Sequence, residues 1–118
     1  MAEINFHDAA IQIGKMLKDY KAEDVVVLDL KDKNIWTDYF IIATVSSATH
    51  SKGLEKHIYE ETQELNLTEY RTTRKRPEGN EWRLIDLSGI VIHLMSKTAR
   101  QFYDLEKLWY DSKNILES

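Results

Sequence analysis

The alternation of hydrophobic and polar residues between Trp82 and Met95 predicts a β-hairpin. Two runs rich in β-branched and aliphatic residues flank the dipeptide Ser88-Gly89, and such a dipeptide between two runs is typical of a tight turn. A turn at this position fixes the register of the two strands. It pairs Leu87 with Ile90, Asp86 with Val91, Leu84 with His93 and Trp82 with Met95.

The two faces of this hairpin differ in chemistry, because side chains alternate across a strand. One face is aliphatic and is predicted to lie in the core: Ile85, Leu87, Ile90, Ile92 and Leu94, with Arg83 at its end. The opposite face mixes an indole, a thioether, a carboxylate and an imidazole with apolar side chains: Trp82, Leu84, Asp86, Val91, His93 and Met95. A face of this composition is a candidate surface for recognising a partner.

Helical and strand periodicities alternate along the rest of the chain. They predict, in order, a helix from Asn5 to Tyr20, strands from Val25 to Leu30 and from Trp36 to Val45, a helix from His50 to Leu65, an edge strand from Glu69 to Thr73, the hairpin, a helix from Thr98 to Trp109, and a frayed tail after Asp111. The apolar stripe of the last helix comprises Ala99, Phe102, Leu105, Leu108 and Trp109.

These elements define a fold class. The short polar connection between the first two strands favours antiparallel pairing, and the second helix suits a crossover between parallel strands. We therefore expect an α/β (α+β) fold, in which a single mixed β-sheet is flanked by helices on both faces. No repeat or linker interrupts the pattern, so we expect a single domain over residues 1–118.

Composition and charge limit the cellular compartments and the classes of partner that we expect for this protein. The chain has a formal net charge of −4, which gives no global attraction to nucleic acid, and it has no cysteine for a disulfide or a thiolate site. No apolar run approaches the roughly 20 residues that span a bilayer, and the first residues match neither a signal peptide nor a transit peptide. We expect a cytoplasmic protein without a membrane segment.

The histidines and acids do not form a recognisable metal or phosphate site. His50 and His57 are seven residues apart in a predicted helix, about 10 Å along its axis, which is too far for one ion. Glycine-rich phosphate motifs are absent, as is the Asp-x-Asp pair expected of a magnesium-dependent nucleotidyl transferase. The sequence predicts no metal, no cofactor and no catalytic residue.

Two other functions stay open from the residues alone. Asp86 and His93 are diagonal neighbours on the hairpin and could act as an acid–imidazole pair in a nucleotide-binding or nucleotidyltransferase-like enzyme. A polar pair whose hydrogen bonds are satisfied within the sheet is the simpler interpretation.

A basic run of residues could contact RNA phosphates, although it lacks aromatic residues for base stacking and also fits a solvated loop. This run comprises Arg71, Arg74, Lys75 and Arg76.

Five sequence blocks occur in an order that resembles the ribosomal silencing factor family, also called Iojap-like proteins. The blocks are Asp24 to Leu30 (DVVVLDL), Trp36 to Thr44 (WTDYFIIAT), Ser47 to His50, Trp82 to His93 (WRLIDLSGIVIH) and Ala99 to Trp109 (ARQFYDLEKLW). The resemblance covers nearly all of the chain between Asp24 and Asp111.

The resemblance implies a nucleotidyltransferase-like sheet without catalytic acids, and a protein that is not an enzyme. It implies binding to the large ribosomal subunit, chiefly to its protein number fourteen, where the small subunit would dock. Joining of the subunits would then be blocked and translation repressed when nutrients are limited. Homodimers are expected away from the ribosome.

Carried over by motif, the partner-binding surface comprises Trp82, Asp86, Leu87, His93, Met95, Tyr103 and Asp104. A minor contact with ribosomal RNA is expected through Arg71, Arg74, Lys75 and Arg76. An aromatic and thioether centre would supply the burial that such an interface needs, and acids would face a basic ribosomal protein.

Overall fold

A mixed five-stranded sheet organises the computed structural model, which describes residues 5–33, 37–65, 67, 82–87, 89–108 and 111–116. The strands are β1 (Glu23–Asp29), β2 (Tyr39–Val45), β3 (Trp82–Asp86), β4 (Ile90–Ser96) and β5 (Lys113–Asn114). The helices are α1 (Phe6–Asp19), α2 (Ala48–Glu64), α3 (Lys97–Tyr103) and α4 (Leu105–Leu108), with a 3₁₀ turn at Lys31–Lys33.

The strand order across the sheet is β3-β4-β2-β1-β5. Strands β2 and β4 are parallel, and the other neighbouring pairs are antiparallel. Helix α2 lies in the connection between the two parallel strands, as a crossover connection requires. The predicted mixed sheet, the antiparallel first pair and the crossover are therefore confirmed.

The hairpin has the register that its turn predicts. Trp82 pairs with Met95, Leu84 with His93 and Asp86 with Val91. At the closed end, the Leu87 amide donates to the Ile90 carbonyl over 2.7 Å.

The first two helices begin at the polar caps that the sequence offers. The Asn5 side chain accepts a hydrogen bond from the Asp8 amide over 3.0 Å, and the Ser47 hydroxyl accepts one from the His50 amide over 3.0 Å. Each cap satisfies an amide that has no partner within the first turn of its helix. The observed helices lie within two residues of the predicted bounds.

Two hydrophobic clusters cover the two faces of the sheet. The larger cluster joins α1 and α2 to the aliphatic face of the hairpin, for example through Ile13, Leu54 and Ile92. The second cluster joins α3 to the mixed face: Leu28, Leu30, Phe40, Ile42, Val91, Met95 and Ala99, with Val26, Trp82, Leu84 and Leu105 packed against them. Both faces of the hairpin are therefore covered, which confirms a sheet flanked by helices on each side.

The predicted frayed tail after Asp111 is wrong. Strand β5 pairs with β1, and the Ile115 amide donates to the Val27 carbonyl over 2.8 Å. The Asn114 side chain accepts hydrogen bonds from the Val27 and Leu116 amides, each over 3.1 Å. Leu116 is buried in the larger cluster, so this segment is held by both hydrogen bonds and apolar packing.

The predicted last helix is broken. Asp104 adopts a left-handed conformation with φ of 47° and ends α3, and the chain resumes as α4 at Leu105. Phe102, which the predicted stripe placed in the core, is 78% exposed. Within α3 the side that faces the sheet carries Ala99, and Phe102 lies off that side although it is only three residues further along.

Several predictions lie outside the described residues: the edge strand from Glu69 to Thr73, the basic run Arg71, Arg74, Lys75 and Arg76, and the positions Trp36, Ser88 and Trp109. No helix in the described part of the chain has the length and apolar character that a bilayer-spanning segment needs.

Candidate aromatic docking surface

Trp82 opens β3, the outermost strand of the described part of the sheet, and is partly buried. Its indole packs against the second hydrophobic cluster, beside Leu84 on the same strand. Met95 lies opposite Trp82 in the ladder and is completely buried. The indole therefore rests on a packed interior and is not enclosed by it.

A hydrogen bond joins Trp82 to the interior of the sheet. The indole Nε1–H donates to Nδ1 of His93 over 3.1 Å. His93 is only 3% exposed, and burial lowers the pKa of its imidazole to about 4. The ring is therefore neutral at pH 7, with Nδ1 as the acceptor and the proton on Nε2. Among the described residues, that Nε2 atom has no hydrogen-bond partner.

Two further aromatic rings extend the surface from α3. The Tyr103 ring lies 4.6 Å from that of Trp82 between centroids, and the Phe102 ring packs edge-on against Tyr103 at 5.0 Å. Tyr103 is 48% exposed and Phe102 78% exposed. We call Trp82, Phe102 and Tyr103 the aromatic patch.

Polar contacts hold α3 in the position that forms this patch. The Ser96 hydroxyl caps the helix by accepting from the Ala99 amide over 3.0 Å. The Arg100 guanidinium donates to Glu106 of α4 over 2.9 Å and to the Thr44 hydroxyl of β2 over 3.0 Å. Arg100 thus ties together the sheet and both helices around the break at Asp104, and so holds α3, which carries Tyr103, against the sheet.

The structure separates the predicted partner-binding residues into two groups. Trp82, Tyr103 and Asp104 are at least partly accessible. Four others are buried: Asp86, Leu87, His93 and Met95. His93 and Met95 lie on β4 between β2 and β3, and Leu87 belongs to the larger cluster. A direct contact of these four buried residues with a partner stays a prediction, to which their burial lends no support.

The geometry does not form the acid–imidazole pair considered from the sequence. Nδ1 of His93 accepts from Trp82, so it is not held by Asp86. Two open grooves of about 560 Å³ and 330 Å³ meet at Asp24, Arg100 and Glu106, and neither is lined by Asp86 or His93. Among the described residues, no group of three or more His, Cys, Asp and Glu side chains is placed to hold a metal ion.

Sequence reasoning missed Phe102 as a surface residue. Its hydrophobicity and its helical spacing from Ala99 and Leu105 both indicated a core position. The sequence signal that could have helped is Asp104, because aspartate tolerates the left-handed conformation better than most residues and is common where helices end.

Comparison with known proteins identifies the family. The family model described as ribosomal silencing factor during starvation matches residues 3–118. The ribosomal silencing factor RsfS of Treponema pallidum is 36% identical over 103 residues, which cover 87% of this chain and 91% of that protein. The mouse protein named mitochondrial assembly of ribosomal large subunit protein 1 is 27% identical over 95 residues, covering 80% of this chain and 42% of that protein.

Two solved structures share this fold. A crystal structure of a Chromobacterium violaceum protein aligns with a TM-score of 0.80 and 25% identity, covering 99% of this chain and 94% of that one. A Bacillus halodurans structure aligns with a TM-score of 0.68 and 30% identity, covering 88% and 92%. The resemblance predicted from the sequence blocks is confirmed, and this chain belongs to the ribosomal silencing factor family.

Proposed function

We propose that this protein, acting as a single domain, binds the large ribosomal subunit through the aromatic patch and sterically prevents the small subunit from joining. Its partner would chiefly be protein number fourteen of the large subunit, and the result would be repressed translation under nutrient limitation. Two findings support an association with the ribosome. The chain belongs to the silencing factor family, and the name of the mouse relative refers to assembly of the large subunit.

The accessible aromatic patch is the observation that carries the proposal. Among the described residues, Tyr20, Phe102 and Tyr103 are the exposed large hydrophobic side chains, and two of these three belong to the patch. Clusters of aromatic side chains on a packed support are typical of interface hot spots. The exposed Asp104 beside them adds a negative charge suited to a basic ribosomal protein.

The buried residues that the motif implied would then act as the support of the interface. Met95 and His93 lie beneath or beside Trp82, whereas Asp86 and Leu87 hold the closed end of the hairpin. In this proposal the contacting residues are Trp82, Phe102, Tyr103 and Asp104. The proposal also includes a minor contact between the basic run and ribosomal RNA. It further includes a homodimer in the cytoplasm when the protein is off the ribosome.

Blocking by occupancy requires no catalysed reaction. The alternative enzyme would use Asp86 and His93, which are buried and line neither of the two grooves. A neutral imidazole whose Nδ1 already accepts from an indole is also poorly placed to relay protons. These observations favour the binding function.

Sedimentation with isolated large subunits tests the docking surface. We expect Trp82→Ala to weaken binding by about 30-fold or more, which corresponds to the roughly 2 kcal/mol or more of a hot-spot residue. The matched control is Tyr20→Ala, which removes another half-exposed aromatic ring that stacks on His57 on the α1–α2 side of the sheet. Circular dichroism checks that both variants are folded. Equal binding by the two variants would remove the proposed surface.

A second arm tests the blocking step. Small subunits are added to large subunits with and without the protein, and the fraction of joined ribosomes is read from a sucrose gradient. The native protein should lower this fraction and Trp82→Ala should not.

Calorimetry with nucleoside triphosphates and magnesium tests the enzyme alternative, which would predict binding heat and a turnover that Asp86→Asn abolishes. Salt-dependent binding to naked RNA, lost when the basic run is replaced by alanine, would favour an RNA-binding function.

A further inference from the structure

The Trp82 side chain is tethered at its polar atom as well as along its apolar surface. Trp82 lies opposite Met95, and His93 lies opposite Leu84, so Trp82 and His93 are diagonal neighbours on one face of the hairpin. The two ring centroids are 5.8 Å apart and the rings are inclined by 44°. This arrangement brings the indole N–H to the Nδ1 atom without stacking the rings.

The imidazole end of this hydrogen bond is rigid. His93 sits in β4 with strands on both sides, and its ring packs edge-on against Phe40 of β2 at 4.6 Å. Indole can only donate a hydrogen bond, so the contact requires the His93 tautomer whose Nδ1 is unprotonated. A buried and neutral ring keeps that acceptor available, and its position is set by the sheet.

A docking residue benefits from such a restraint. Trp82 is the first residue of β3, the outermost strand of the described part of the sheet. Holding a side chain in its bound position before association raises affinity, by up to about 10-fold, because the ordering cost falls on folding and not on binding. A held indole also keeps Tyr103 in contact with its ring.

We propose that His93 is a positioning residue for the docking surface: its Nδ1 atom fixes the orientation of the Trp82 indole, and with it the shape that the aromatic patch presents to the partner. This role rests on the proposed docking function. It differs from the direct contact that the motif implied, since His93 acts through Trp82 and does not touch the partner.

The test uses two substitutions of the same size and branching. His93→Asn retains an acceptor oxygen near the position of Nδ1. The leucine of His93→Leu has as many side-chain heavy atoms as asparagine and no acceptor. His93→Phe, which keeps an aromatic ring without an acceptor, replaces the leucine variant if that variant does not fold. The Trp82 indole N–H resonance is followed in protein labelled with ¹⁵N-tryptophan and is assigned by its absence in Trp82→Phe.

We expect the indole resonance of His93→Leu to move upfield and to exchange faster with water, while that of His93→Asn stays near the native position. Affinity for isolated large subunits should be about 3- to 10-fold lower for His93→Leu than for His93→Asn. In a Trp82→Phe background, which has no indole N–H to hold, this difference between leucine and asparagine should disappear. If His93 has a purely structural role, the difference in affinity between the leucine and asparagine variants should persist in the Trp82→Phe background.

The outcomes separate this inference from the function on which it rests. Identical indole resonances in the asparagine and leucine variants would overturn the inference. Different resonances with equal affinities, while Trp82→Ala still loses binding, would overturn the positioning role and leave the docking function standing. Unchanged binding by Trp82→Ala would overturn the docking function and, with it, the positioning role.

Discussion

At the scale of single residues, two helical glycines have opposite surroundings. A Cβ atom added at Gly14 of α1 would lie 2.9 Å from a methyl group of Val27 and 3.3 Å from one of Leu116. A Cβ atom added at Gly53 of α2 would have nothing within 4 Å. Gly14 therefore allows close packing of α1 on the sheet, whereas Gly53 has no packing role among the described residues.

This contrast predicts opposite signs for the same substitution. Gly53→Ala should raise the free energy of unfolding by about 0.5–1 kcal/mol, because alanine loses less backbone entropy in a helix. Gly14→Ala should lower it by up to about 2 kcal/mol, since overpacking against a stiff β-branched side chain exceeds the same helical gain. Urea unfolding of both variants measures the two values. Stabilisation by Gly14→Ala would contradict the close approach to Val27.

At the scale of elements, the C-terminal segment closes one edge of the sheet. Strand β5 covers β1 over two paired residues, and Leu116 reaches the cluster that contains α1 and α2. The backbone and Asn114 hydrogen bonds hold the segment in register, while Leu116 supplies its apolar burial. The segment therefore belongs to the fold.

Leu116→Ala should lower the free energy of unfolding by about 2–5 kcal/mol, the usual cost of removing most of a buried leucine side chain. Lys113→Ala, at an exposed position of the same segment, is the matched control and should change it by no more than about 0.5 kcal/mol. Chemical unfolding gives the free energies, and hydrogen exchange of the Val27 amide reports whether β5 still pairs. If the two variants have equal free energies of unfolding, the prediction of a frayed tail after Asp111 would be right after all.

At the scale of the whole molecule, burial of both faces of the sheet leaves one histidine in the interior. Burial lowers the pKa of His93 from 6.5 to about 4, so the unfolded chain binds this proton at a higher pH than the folded protein does. The stability linked to His93 is fully present above about pH 6.5 and is lost as the pH falls towards about 4.

The free energy of unfolding should accordingly fall by about 3 kcal/mol from this group as the pH drops through that window. His93→Asn, which has no group titrating in this range, should lack this contribution, and the difference between the two proteins isolates it from the carboxylates. Urea unfolding at several pH values between about 7 and about 4 measures both curves. Parallel curves would mean that His93 is not buried in solution.

Much of this fold is readable from local patterns, because each pattern is tied to a geometry that repeats every two or about 3.6 residues. The hairpin register followed from Ser88-Gly89, and the bounds of α1 and α2 followed from periodicity and polar caps. The candidate aromatic site was partly readable, because the sequence blocks include Trp82 and Tyr103. Phe102 was missed, and the burial of His93 and Met95 was missed as well.

The sequence by itself determined strands β1 to β4, the hairpin pairing, the absence of cysteine chemistry and the family, since these depend on patterns of residues close together along the chain. Only the tertiary structure decided that α3 covers the mixed hairpin face, that this helix ends at Asp104, that Phe102 is exposed, and that the C-terminal residues pair with β1. These outcomes depend on contacts between segments far apart in the chain, and a local pattern of polarity cannot distinguish a residue facing solvent from one facing another element.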